Sequence, residues 1–283
     1  PTSNNQPADV VVGQENATSA PVRPHGFADQ RSLRGPQGVW IQGNRLFVAD
    51  TQNHRVLIWN SIPTQNNQPA DIVLGFPDFT SNKEGLIPDP SPTSLLNPVS
   101  VTSDGVRLYV ADLGHNRVLI WNSIPTSNNQ PADVVIGQPD MNSSDPNNSS
   151  KLCAPTGQDE DGNNTYPPRC AATLDFPRFA LSDGKRLFIA DGGNDRVLVY
   201  NSIPTQNGQA ADAVLGQPGD QINQISDSDP SRISAADALR TPTSLAWDGT
   251  NLYVSDPFNR RIMVFTPGER LIPNTGVRNA ASP

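Results

Sequence analysis

The sequence is poor in the residues on which catalysis, metal binding and membrane insertion usually depend. Its 283 residues include two cysteines, two methionines and three histidines. No stretch approaches the roughly eighteen consecutive apolar residues of a membrane-spanning helix, and no basic-then-apolar segment has the pattern of a signal peptide. These absences exclude a helical membrane protein of the usual kind.

Positive charge is also scarce. Lys and Arg together number 20 against 28 Asp and Glu, giving a formal net charge of −8 and a pI near 4.8. Proteins that bind RNA or DNA release counterions from the phosphates through basic surfaces, so we do not expect a nucleic-acid partner.

Signatures of an active site are missing as well. The sequence contains no Gly-x-Ser-x-Gly elbow, no phosphate-binding glycine loop and no Cys–His nucleophile pair. We therefore assign no catalytic residue and expect that the protein is not an enzyme.

Proline and glycine are abundant, with 28 and 21 residues, and they separate four copies of one pattern. The copies start at Arg45, Arg107, Arg186 and Asn251. The first reads RLFVADTQNHRVLIWNSIPTQNNQPADIVLG, and the fourth is cut to NLYVSDPFNRRIMVF. Periodic units of this length are the sequence signature of a stacked repeat architecture.

Each complete unit contains four candidate strands. A short apolar run such as VSVTS ends in a glycine turn and precedes the repeat, which suits a hairpin. The next run, LFVAD in the first copy, is apolar on both faces and belongs in the middle of a covered sheet. RVLIW and ADIVLG supply the third and outer strands. A four-stranded antiparallel meander repeated around an axis is a propeller blade, so the fold class is an all-β β-propeller.

The stretch ADTQNHRVLIW, residues 49–59, resembles the NHL repeat, which is named for its Asn-His-Leu signature. Asn53, His54 and Arg55 stand at that signature, and similar triplets occupy the other copies. The resemblance implies a bacterial-type extracellular member of the NHL-repeat β-propeller family. That family is mostly six-bladed and includes RNA-binding, protein-binding, sensor and lyase proteins, so the resemblance does not choose a function.

The two ends of the chain look complementary. Residues 8–13 copy the outer strand of a blade, whereas the last unit ends at RIMVF without one. We predict four blades, with residues 8–13 pairing with 261–265 to close the last blade; the alternative is an arc of a six-bladed propeller. Residues 1–277 would form one domain, with 278–283 a tail or a linker to another domain.

Cys153 and Cys170 enclose sixteen very polar residues without metal or redox spacing. We predict a disulfide that closes this segment and stabilises the fold by about 3 kcal/mol. Disulfides persist in oxidising compartments, so an extracellular or periplasmic location follows.

Every unit carries an aspartate five residues before an arginine. A ring of these charges could bind an anion, but their presence in every unit favours a structural pairing at the turn between the second and third strands. The pairs are Asp50 with Arg55, Asp112 with Arg117, Asp191 with Arg196 and Asp256 with Arg261.

No metal ligand set is predicted. His54 and His115 occupy equivalent turns of successive units, too far apart to share a zinc ion, and His25 lies outside the repeat. The acidic segment 159–164 has oxygens at spacings that calcium uses but lacks the terminal glutamate of an EF-hand, so we predict a solvated loop, no cofactor, and structural calcium as the alternative.

The connections from each outer strand to the next inner strand differ among the units. They span 14–37, 76–97, 138–177 and 217–241, and all would emerge on one face. Variable loops on a rigid scaffold are typical of recognition, so we expect an extracellular module that binds protein or surface glycan. The alternatives are a calcium-dependent hydrolase or lyase, and a structural repeat that self-assembles through its N-terminal strand.

Overall fold

The computed structural model describes residues 2–19, 28–82, 86–223 and 235–266. His25, Asp227, Asp229 and the predicted tail 278–283 lie outside these residues. Within them the secondary structure is almost wholly β, confirming the predicted fold class, and no helix among them is long and apolar enough to cross a membrane.

Three sheets are four-stranded antiparallel meanders, the blades that the repeat predicts. Blade 1 comprises β1 (Gly38–Gln42), β2 (Arg45–Asp50), β3 (Arg55–Trp59) and β4 (Ile72–Leu74). Blade 2 comprises β5 (Pro98–Ser103), β6 (Leu108–Asp112), β7 (Arg117–Trp121) and β8 (Val134–Ile136). A short helix α1 (Ser149–Leu152) and a hairpin of β9 (Gly157–Gln158) and β10 (Asn164–Thr165) follow. Blade 3 comprises β11 (Pro177–Ser182), β12 (Leu187–Asp191), β13 (Arg196–Tyr200) and β14 (Ala213–Leu215).

Blade 4 has three strands, β15 (Leu245–Trp247), β16 (Leu252–Asp256) and β17 (Arg261–Phe265). The prediction that residues 8–13 pair with β17 differs from the structure, because β17 pairs only with β16 among the described residues. The N-terminal segment instead lies on blade 1. Val11 accepts the backbone N–H of Asn67 and donates to Asn66 Oδ1, at 2.8 and 2.9 Å.

These contacts repeat those that true outer strands make with the following blade. Val73 accepts from the Asn129 N–H and donates to Asn128 Oδ1 in the same way. Residues 8–13 therefore occupy the outer-strand position of a blade that would precede blade 1, although they do not form a strand.

The cores lie between consecutive sheets. In blade 2, Val110 and Leu119 face blade 1, whereas Tyr109 and Ile120 face blade 3. Both faces of the middle strands are thus buried, which is why LYVAD and its copies are apolar without alternation. A third core joins blade 3 to blade 4.

The outer face of blade 4 is exposed, and so is the β1 part of the outer face of blade 1, whose remainder is buried against Val12 and Leu33. Val39 of β1 is 68% exposed although its equivalent Val101 is buried, and Val264 of β17 is 53% exposed although its equivalent Ile120 is buried. The residues at both ends are therefore of the type that blades bury against one another.

In blades 2 to 4 the hairpin between the first and second strands turns on an aspartate. Asp104 Oδ1 accepts the backbone N–H groups of Val106 and Arg107, at 2.9 and 2.7 Å, and Asp183 and Asp248 do the same in blades 3 and 4. Burial alone would raise the pKa of Asp104, but these N–H groups and the Tyr109 hydroxyl outweigh it and lower the pKa.

Candidate functional site

The repeated Asp–Arg pairs are buried, not displayed at a channel mouth. In blade 2, Arg117 Nε lies 2.8 Å from Asp112 Oδ2, and both side chains are fully shielded from solvent. A left-handed residue after a short 3-10 turn lets the chain reverse between them. The same 2.8 Å contact joins the other three pairs.

The remaining guanidinium nitrogens bind the long connections. Arg117 donates from Nη2 to the carbonyls of Ser91 and Ser94, at 3.1 and 2.9 Å, and from Nη1 to that of Met141, at 2.6 Å. Ser91 and Ser94 precede blade 2 and Met141 follows it. In blades 1 to 3 the arginine therefore joins two consecutive connections.

The pattern repeats at fixed distances along the chain. The Nη2 acceptors of Arg55, Arg117, Arg196 and Arg261 are all 26 and 23 residues earlier. In blades 1 to 3 the Nη1 acceptor is 24 residues later. We call the face that carries these connections the loop face. Its variable segments are fixed at both ends by buried charge-assisted hydrogen bonds.

The longest connection carries a disulfide. Cys153 and Cys170 are bonded with a Cα–Cα distance of 5.8 Å, as the sequence predicts. Cys170 also supplies a carbonyl to Arg196 Nη2, at 3.0 Å. The disulfide therefore ties the inserted segment to a point that the buried arginine already holds.

The acidic segment forms the tip of the β9–β10 hairpin. Asp159 Oδ1 accepts the backbone N–H groups of Asn163 and Asp161, at 2.8 and 3.0 Å, and these bonds, led by Asn163, lower the pKa of its carboxyl. Asp159 thus caps its own turn. Among the described residues, no cluster of three His, Cys, Asp or Glu side chains has the arrangement of a metal site.

The two described histidines are structural neighbours of the turns. His54 Nδ1 accepts the Asn97 N–H at 3.1 Å, and burial lowers the pKa of His54, so the ring is neutral at pH 7. His115 contacts Asp112 at 2.8 Å and the Pro88 carbonyl at 2.9 Å.

The inner strands surround a cavity of about 250 Å³ at their loop-face ends. One equivalent residue from each blade lines it, in each case the residue after the proline that ends the connection. Two of these residues sit where the strand register shifts, so their side chains leave the ladder. The four residues are Gln37, Val99, Arg178 and Thr243, with Phe179 and Ser244 beside them. We call this the axial pocket.

Arg178 lacks a partner in the described structure. Its Nε is buried without a hydrogen bond, and no carboxylate lies within ion-pair distance of its guanidinium among the described residues. Its side chain passes over Gly192, where a Cβ atom would meet Arg178 Cγ at 2.7 Å. The equivalent turn positions in the other blades hold Thr51, Leu113 and Pro257.

Asp175 lies nearby in the chain and is half-buried. Its Oδ1 has no hydrogen-bond partner, although its backbone N–H donates to Asp191 Oδ1 at 2.8 Å. Desolvation and then the Asp191 charge raise the pKa of Asp175, and Arg169 opposes them.

Sequence reasoning placed the Asp–Arg pairs and the disulfide but missed the axial pocket. The fragments LRGP, LLNP, LDFP and LRTP end the connections that lead to the pocket, and the residue directly after each fragment is the one that lines it. That residue changes from Gln to Val, Arg and Thr while its neighbours repeat. This change of residue type at a fixed position is the signal that could have found it.

The chain is similar to curated proteins that carry NHL repeats. NHL repeat-containing protein 2 from Bos taurus is 25% identical over 263 residues, and the Homo sapiens protein is 24% identical over 254. Each alignment covers 87% of this chain and 33% of the relative, so the chain spans about a third of their length. Both relatives are from vertebrates, and a bacterial origin stays a prediction. No family model matches the chain.

Solved structures also match parts of this chain at low identity. The structure of a nidogen/laminin complex covers 83% of this chain with a TM-score of 0.43 and 16% identity, over 60% of the matched chain. A periplasmic gluconolactonase from Pseudomonas aeruginosa covers 89%, with a TM-score of 0.46 and 16% identity, also over 60% of its chain. At these values we transfer no function. The repeat and the blades that it forms make this chain a β-propeller, and its sequence is similar to that of curated NHL-repeat proteins.

Proposed function

We propose that the chain is a non-catalytic extracellular or periplasmic module that binds a protein through its loop face. One observation carries the proposal: half of the exposed large apolar side chains in the described structure lie on that face. Of ten such residues in the described structure, four lie on the free sheet faces and one, Val106, on an opposite hairpin. The other five are Leu86, Ile87, Phe176, Ile222 and Phe258, all in loop-face connections or turns.

Exposed apolar residues among polar ones favour a protein over a glycan. Glycan binding usually uses exposed aromatic rings, but Trp59, Trp121 and Tyr200 in the strands are buried, and three of the five exposed loop-face residues are aliphatic, the others being Phe176 and Phe258. The connections whose ends are held by the paired arginines also support protein binding, because loops that are ordered before binding lose less conformational entropy on association. The Cys153–Cys170 disulfide supports the oxidising location.

The proposal is tested by screening purified extracellular proteins of the source organism for binding by biolayer interferometry. Ile87→Ser and Ile222→Ser should weaken binding of a partner at least about tenfold, since buried apolar anchors dominate such interfaces. Val106→Ser, an equally exposed change on the opposite face, is the matched control. Loss of binding in the control, or binding to a glycan array without any protein partner, would contradict the proposal.

The exposed sheet faces favour a second candidate, head-to-tail assembly of copies of this chain. The face of blade 4 with Ile262 and Val264 and the face of blade 1 with Val39 and Ile41 match the two sides of the internal interfaces. A second copy can therefore bury both in the manner of consecutive blades.

Mixing two defective variants tests this assembly. Val39→Lys spoils one face and Val264→Lys the other, so each variant alone should be a monomer in sedimentation, whereas an equimolar mixture should give a dimer through the two intact faces. A wild-type protein that remains monomeric up to high micromolar concentration would refute self-assembly.

A further inference from the structure

We propose that the axial pocket binds a small carboxylate-bearing ligand, with Arg178 as its counter-ion. The pocket lies at the centre of the loop face, so it is a binding site separate from the apolar residues at the periphery. Ligand binding in this pocket is independent of the proposed protein partner.

Arg178 differs from the paired arginines in its lack of a counter-ion among the described residues. The arginines of the four Asp–Arg pairs, such as Arg196, are each bound by an aspartate and by backbone carbonyls. Arg178 instead has a buried Nε without a partner, and none of the six residues that line the pocket is acidic. Leaving a buried charged donor unsatisfied is costly, so an anion is favoured beside it.

Blade 3 departs from the repeat at two positions. It alone has an arginine, Arg178, at the position that lines the axial pocket, and it alone has a glycine, Gly192, at the first residue of the turn after the second strand. A side chain at that turn would collide with Arg178, since a Cβ there lies 2.7 Å from Arg178 Cγ. The two residues belong to different elements, and the glycine leaves the space beside the pocket that the arginine side chain occupies.

The other walls of the pocket provide polar and apolar groups. Gln37, Thr243 and Ser244 offer an amide and two hydroxyl groups, which donate and accept hydrogen bonds, and Val99 and Phe179 are apolar. The volume of about 250 Å³ is below the roughly 300–1,000 Å³ of pockets for drug-sized ligands. A guanidinium matches a carboxylate bidentately. These features together favour a small hydroxylated acid, such as a sugar acid or a hydroxy acid.

Titration calorimetry with D-glucuronate and L-malate tests the inference, with D-glucose as the uncharged match for glucuronate. We expect at least one acid to bind with a dissociation constant below about 1 mM, and glucose to bind at least about tenfold more weakly, because the charge-assisted bond is absent. Raising the salt concentration should weaken acid binding.

Variants separate the pocket from other sites. Arg178→Gln should weaken acid binding about tenfold or more, and Arg178→Lys less, since it keeps the charge but not the planar fork. Gly192→Ala should weaken it by displacing Arg178. Arg107→Gln, which removes a partly exposed arginine from the opposite face, should leave it unchanged. Unchanged denaturation midpoints would show that the variants fold.

Three results would overturn the inference. They are a wild-type protein that binds neither acid below about 10 mM, an Arg178→Gln variant that binds as tightly as wild type, and equal affinity for glucose and glucuronate. These titrations use no protein partner, so a negative result does not contradict the proposed binding of a protein by the loop face. If the loop-face partner is lost in Arg178→Gln while free acids do not bind, the carboxylate belongs to an acidic side chain of that partner, and the small-molecule inference is wrong.

Discussion

Replacing Arg117 by methionine should destabilise the protein far more than replacing an ordinary surface arginine. The side chain of Arg117 is fully buried and makes five hydrogen bonds, one to the equally buried Asp112, three to carbonyls of two connections and a longer one to His115 Nδ1. Methionine fills much of the volume but leaves the Asp112 carboxylate without its counter-ion. Breaking a buried pair in this way costs about 3–5 kcal/mol.

Equilibrium urea denaturation at pH 7, followed by tryptophan fluorescence, measures the loss. Trp121 lies in the same blade and is buried, so it reports the unfolding of this region. The matched control is Arg107→Ala, because Arg107 is 30% exposed and lies 3.3 Å from Asp104; its loss should cost only about 0.2–1 kcal/mol. Limited proteolysis should also show faster cleavage of Arg117→Met in the connections on both sides of blade 2.

The double variant Asp112→Asn with Arg117→Met gives a further check. It removes both charges, so its loss of stability should be smaller than the sum of the two single losses. An Arg117→Met loss at or below about 1 kcal/mol, equal to that of Arg107→Ala, would refute the view that these arginines hold the loop face together.

Three further predictions concern single groups. Replacing Cys153 and Cys170 together by serine should lower the free energy of unfolding by about 3 kcal/mol in calorimetry relative to the oxidised wild type, and the reduced wild type should show a similar loss; no change would contradict the loop-closure reasoning. Asp104→Asn should destabilise most above about pH 4, and the effect should fade as the pH falls below that value, because the folded-state pKa of Asp104 is lowered and its contribution is lost as pH falls through that pKa. Asp175→Asn should stabilise at pH 7, because the raised pKa of Asp175 reflects an unfavourable buried charge, and the gain should vanish below about pH 4, where Asp175 is protonated in both states. A pH-independent effect of either substitution would contradict its electrostatic explanation.

The regular part of this fold is encoded locally and was therefore predictable. Residues such as Tyr109 and Val110 repeat in each unit with apolar character on both faces, and this reflects burial between two sheets. The turn aspartates and the Asp–Arg spacing are equally local. A prediction from them needs only the repeat.

The closure of the last blade was predicted differently from what the structure shows, and the reason is physical. The segment 8–13 has an outer-strand sequence, but what anchors such a strand in the other blades includes the next blade as well as its own sheet. Val11 keeps the contacts with blade 1 and not the ladder with β17. Sequence similarity identified the type of strand correctly and could not tell which of its two sets of contacts would form.

The axial pocket was not predicted because it depends on distances between blades. Gln37 and Thr243 are far apart in the sequence and meet only because four inner strands converge. No repeat pattern reports that convergence directly.

The four paired arginines define which parts of the connections can change. Each connection has a stretch that these arginines do not contact, lying between the Nη1 acceptor after one blade and the first Nη2 acceptor before the next. Met141 and Cys170 bound one such stretch. Closing a flexible loop costs only about 0.6 kcal/mol for each doubling of its length. Foreign peptides grafted there would be displayed on the loop face without disturbing the blades, so this protein is a ready scaffold for engineered binders, with one insertion point for each such stretch.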